Sequence, residues 1–169
     1  MSTPDVSNVL GGPAKIQLAD ADIGHTQGGM TCTIAPQTRP VIVDQYGSSE
    51  IQIRHTGDNV RVSAAFAEWA ADTLKNTYHL GTDSTSGSAG AYLGIGATAG
   101  ALYSTQDLKV IPFLTADAAK LIQMFAATPI GELAINFNND DDRLFETEFA
   151  CLLDESQTDG EWHGKIFLN

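Results

Sequence analysis

The chain has 169 residues and a mass of 17.9 kDa, with 43% apolar and 18% charged side chains. That length points to one domain with material for a core, and the low charge density argues against wholesale disorder. Nine Lys plus Arg against 21 Asp plus Glu leave a net charge of −12, and no basic cluster occurs anywhere, which argues against direct binding to a phosphate backbone.

Residues 1–12 read as a flexible arm ending at Gly11-Gly12-Pro13, with residues 13–169 as the domain proper. The arm has neither a basic n-region nor an apolar h-region, so no secretory signal is expected. Ile16 and Leu18 alternate with Lys15 and Gln17, which is strand period. Further strand-like pieces are Met30–Ala35, Arg39–Asp44, Glu50–His55 and Val60–Phe66. Turn material at Gln45-Tyr46-Gly47-Ser48 and Thr56-Gly57-Asp58-Asn59 separates the last three into an antiparallel meander.

The period then changes. Phe66, Trp69, Ala70, Thr73, Leu74 and Thr77 fall on one helical face, so a helix over 68–78 is expected, flanking a sheet. Residues 81–106 form a Gly/Ser/Thr-rich loop whose apolar part, Leu93 to Tyr103, is too short to span a bilayer. Strand signals resume at Asp107–Leu114. The stretch Ala116–Phe125 suits a helix, while Leu121–Ala127 also passes as a strand. Leu133–Phe137, Arg143–Leu153 and Trp162–Leu168 complete the series. In the second of these, Phe145, Thr147, Phe149 and Cys151 alternate with Glu146 and Glu148. The expected class is mainly β: an antiparallel sandwich or open barrel with one flanking helix.

Motifs for chemistry are missing. Gly94-Ile95-Gly96-Ala97-Thr98-Ala99-Gly100 lacks the Lys-Ser/Thr of a phosphate loop, and reads as a mobile or interface loop. Asp140-Asp141-Asp142 has no EF-hand register and reads as a solvated turn. His25, His55, His79 and His163 have no zinc-type spacing, and Ser88 lacks the first Gly of a nucleophile elbow. Glu146 and Glu148 could form an acid/base pair, but a solvent-facing strand edge is the commoner origin of such spacing. Cys32 and Cys151 allow a disulfide, and two buried thiols in a reducing compartment are the preferred reading. The chain is therefore read as a non-enzyme with no metal or cofactor, soluble, made in a cytoplasm and without a membrane anchor.

Three stretches are more informative together: Val43-Asp44-Gln45-Tyr46-Gly47-Ser48-Ser49-Glu50, His55-Thr56-Gly57-Asp58-Asn59-Val60-Arg61-Val62-Ser63, and Phe66-Ala67-Glu68-Trp69-Ala70-Ala71-Asp72-Thr73-Leu74. With the closing Glu148–Asp154 strand, the Asp159-Gly160 turn and Ile166-Phe167, the chain resembles the major tail (tail tube) proteins of long-tailed bacteriophages. The resemblance implies a tail-tube-like β-sandwich with a flanking helix. It also implies stacked hexameric rings forming a hollow virion tube through which DNA passes without specific binding. The implied partners are further copies of the chain, a tape-measure protein, and tail-tip and tail-terminator proteins.

Few edge-protecting Lys or Pro residues leave strand edges that ring closure would satisfy. Strong acidity would let DNA slide rather than adhere. The polar strand faces carrying Glu50, Gln52 and Arg54, or Glu146 and Glu148, are the candidates for the lumen wall. Two other expectations compete: the related tube of type VI secretion systems, and a β-sandwich binding or decoration module that uses the 81–106 loop.

Overall fold

The computed structural model describes residues 12–78, 83–84, 92–96, 98–114, 118–134 and 144–168. Ten strands occur among these residues: β1 (Ala14–Leu18), β2 (Ala21–Asp22), β3 (Thr26–Ile42), β4 (Glu50–Phe66), β5 (Asp83–Ser84), β6 (Tyr92–Leu93), β7 (Gln106–Pro112), β8 (Ile122–Pro129), β9 (Phe145–Leu152) and β10 (Gly164–Ile166). Among the described residues one α-helix, α1 (Ala71–Thr77), follows β4. The protein is mainly β. Eight strands form one antiparallel sheet in the order β2-β1-β7-β8-β9-β4-β3, with β10 taking the part of β8 that β9 leaves free. The strands β5 and β6 pair by themselves.

This order forces the sheet to curl. Only residues 23–25 link β2 to β3, which lie at opposite ends of the pairing path. Four residue steps reach at most about 15 Å, whereas six strand spacings in a flat sheet measure about 29 Å. The curled inner face holds the core, in which Ile16, Val62, Phe66, Leu108, Phe145 and Phe149 are buried. Along β9 the expected alternation appears, with Phe145, Thr147, Phe149 and Cys151 inward and Glu146 and Glu148 outward. Where β10 crosses β8, a Cβ on Gly164 would collide with the Gln123 carbonyl, so only glycine fits there.

Two expectations need correction. The meander is instead a single hairpin of two 17-residue strands, β3 and β4. What reads as a turn at Thr56-Gly57 is a bulge: Gln37 faces Gly57, but Thr38 faces His55, so one residue is extra on β4. Pro36 and Pro40 are tolerated because β3 is an edge strand.

The helix starts three residues later than the expected 68–78. Phe66 is held in β4 opposite Thr26 and Phe145, and the Ala67 N–H donates to the His25 carbonyl, so the backbone stays extended. No side chain caps the first turn. Thr73, Leu74 and Thr77 still point inward, while Trp69 stays half-exposed with its ring 5.3 Å from that of Phe145. Of the later pieces, β7 and β10 match strands read from the sequence, and β8 decides the ambiguous 116–127 stretch for strand over 122–129. Residues 133–134 are not strand, and 135–137 lie outside the described residues. So do the Asp140–Asp142 run, His79, Ser88 and residues 1–11 of the expected arm.

The short helix is pinned by Tyr78, whose hydroxyl donates to the Glu146 carbonyl at 2.6 Å. Tyr78→Phe should cost about 1 kcal/mol by urea denaturation. Phe149→Ala, which empties the core, should cost about 3–5 kcal/mol.

Candidate assembly surface

The hairpin is longer than the sheet that supports it. Strand β9 pairs with β4 only from Val60 to Phe66, so residues 50–59 of β4 have no partner on that side among the described residues. The matching half of β3 is paired with β4 alone. The distal hairpin is thus a two-stranded arm, and such ribbons are marginal in water by themselves.

Register assigns its faces, because directly opposed residues share a face. The face continuous with the core carries Ile34 opposite Val60, Pro36 opposite Asp58, Thr38 opposite His55, and Pro40 opposite Ile53. Ile34 and Ile53 are 49% and 63% exposed, and Ile51 and Ile42 near the tip are half-exposed as well. The His55 ring nitrogen lies 3.0 Å from Asp58 and spans the bulge between the apolar ends. This face looks like core that lacks its covering layer.

The opposite face is polar. Arg39 stands directly opposite Arg54, and Val41 opposite Gln52. Neither guanidinium has an ion-pair partner among the described residues. Toward the sheet, the same face passes through Arg61 to Glu148 and Glu146, with Arg61 Nε 3.5 Å from Glu148 Oε1. Four of the five lumen candidates, Gln52, Arg54, Glu146 and Glu148, therefore share one outer face. Glu50 sits past a second register shift, opposite Ile42 at the tip. The Arg39–Arg54 opposition was missed by sequence reading, because it depends on the bulge.

The two edges of the arm also differ. On β3, Pro36 and Pro40 blunt strand addition, so this edge is better protected than the composition implied. The β4 edge from Glu50 to Asn59 contains neither Lys nor Pro and stays open.

A groove of about 560 Å³ lies elsewhere, lined by Lys15, Asp22, His25, Glu68, Asp72 and Phe113, among others. The close approach of Gly24, with φ +128°, to Thr73 and Glu68 shapes its wall. Glu68 Oε2 accepts the His25 N–H at 3.2 Å. Lys15 lies 3.1 Å from Asp22, and hydrogen bonds from Gln17 first and Lys15 second hold the Asp22 carboxyl below its ordinary range.

Chemistry is sparse elsewhere. No group of three or more metal-ligating side chains occurs among the described residues, and none of their helices is long and apolar enough to cross a membrane. Both cysteines are free thiols. Burial, and secondarily the nearby Cys32, pushes the Cys151 thiol up to about 12. No protein-family model and no curated protein matches the chain.

Two outcomes follow from this geometry. Trypsin should cut after Arg54 on the arm at least about tenfold faster than after Arg61, which is anchored between β3 and β9; sites are read by mass spectrometry. Between pH 9 and about 12 the unfolded chain releases the Cys151 proton that the folded chain keeps, so stability should fall as pH rises. Cys151→Ala should flatten that fall, measured by urea titration at stepped pH.

Proposed function

We propose that this chain is a structural subunit that assembles into stacked rings, forming the hollow tail tube of a long-tailed bacteriophage and the conduit for its DNA. The observation that carries the reading is the arm. A hairpin whose distal half meets no other strand among the described residues, and whose Ile34, Ile51 and Ile53 are about half or more exposed, is read as taking a cover from another chain. A second copy is the occupant, since the open β4 edge and the exposed apolar face can be satisfied repeatedly by identical neighbours. The turn and strand signatures shared with tail tube proteins support the same conclusion.

Within that reading, the lumen wall is the β9 part of the outer face, with Glu146 and Glu148 repelling the phosphates of passing DNA. The arm part, with Gln52 and Arg54, outreaches its own sheet and belongs to contacts with a neighbour. The subunit performs no catalysis and holds no cofactor. Its partners are further copies, a tape-measure protein along the lumen, and terminator and tip proteins at the tube ends.

Negative-stain microscopy across a concentration series, paired with solution mass, tests the reading. The wild-type chain should give hollow rings or tubes with six-fold end views. Ile51→Asp with Ile53→Asp should stay monomeric, with a thermal midpoint within a few degrees of wild type, because both residues face solvent in the free chain. A discrete small oligomer that never extends, unaffected by this double substitution, would instead favour a binding or decoration module.

A further inference from the structure

Charge is divided unevenly between the β3–β4 hairpin and the rest of the chain. The hairpin from Thr26 to Phe66 holds Arg39, Arg54 and Arg61 against Asp44, Glu50 and Asp58. It is neutral, so the remaining residues carry the whole −12. Arg39 and Arg54 face one another directly without an anion among the described residues. Like charges in that position are unfavourable in the isolated chain and become favourable only when carboxylates from elsewhere meet them.

The groove offers such carboxylates. Lys15 and Asp22 neutralise each other there, which leaves Glu68 and Asp72 four positions apart. Asp72 has no ion-pair partner among the described residues, and Glu68 spends one oxygen on the His25 N–H. Ile23 and Phe113 supply apolar wall for the stems of long cationic side chains.

Resting on the self-assembly reading above, we propose that Arg39 and Arg54 of one copy dock in the groove of a second copy, against its Glu68 and Asp72. Two copies that each carry −12 repel at long range, so a stable contact between them must use a locally complementary spot. Arm and groove are different surfaces of the chain. In the stacked-ring reading the contact runs head to tail, the kind that closes into rings or continues along a fibre.

Charge reversal on each side tests the pairing by sedimentation velocity. One variant is Arg39→Glu with Arg54→Glu, and the other is Glu68→Lys with Asp72→Lys. Each alone should stay monomeric where the wild type associates, and an equimolar mixture should associate again, since every arm then finds a groove of opposite sign.

Either variant associating alone as the wild type does would overturn the proposal. So would a mixture that stays monomeric although both variants keep the wild-type near-ultraviolet circular dichroism. Where a reversal disturbs folding, Arg39→Gln with Arg54→Gln decides the matter: wild-type association in that variant overturns the pairing, and a loss of about tenfold upholds it. A wild-type chain that is monomeric at every concentration defeats the self-assembly reading itself, and this inference with it.

Discussion

Strand β9 last pairs with β4 at Cys151, opposite Val60, while β4 itself reaches back to Glu50. Everything distinctive about the molecule depends on that mismatch in length. Up to Val60 the hairpin is one part of a curled sheet, with Val62 and Phe66 packed on Phe145 and Phe149. Beyond Val60, past the bulge, Ile53 returns to the face of Val60 with no other strand beside it among the described residues, so it stands exposed where a core residue would stand if the sheet went on. A fold that carries apolar residues past its own core leaves an exposed apolar surface there, which is what the proposed assembly would cover.

The electrostatics follow the same division. The body carries the acid and the hairpin from Thr26 to Phe66 is neutral as a whole, with Arg39, Arg54 and Arg61 on its outer face. Exposed ion pairs such as Arg61 with Glu148 contribute little to the stability of one copy. In the proposed assembly their arrangement would matter more for how copies meet, with apolar burial on the arm supplying affinity and charge supplying orientation.

Sequence reading succeeded where periodicity is local. The alternation from Phe145 to Cys151 identified β9 and its buried side, and Thr73, Leu74 and Thr77 identified the inward face of α1. It failed where long-range pairing overrode local signals. Thr56-Gly57-Asp58-Asn59 has turn composition, yet pairing with β3 absorbs it as a bulge within a continuous strand. Phe66 has helical spacing to Leu74, yet its partners on β3 and β9 keep it extended. The polar outer face was legible as alternation in two separate pieces. That both pieces lie on one face, and that Arg54 meets Arg39, required the register.

Hydrogen exchange tests the central claim, that the arm is covered by another chain, most directly. In dilute monomer, amides of residues 50–59 that point to the open β4 edge should exchange nearly as fast as unstructured chain, while those of residues 60–66 stay protected. In concentrated, assembled protein the same arm amides should slow by about 100-fold or more. Arm amides that exchange equally fast before and after assembly would contradict the account, since the arm would then be uncovered in both states.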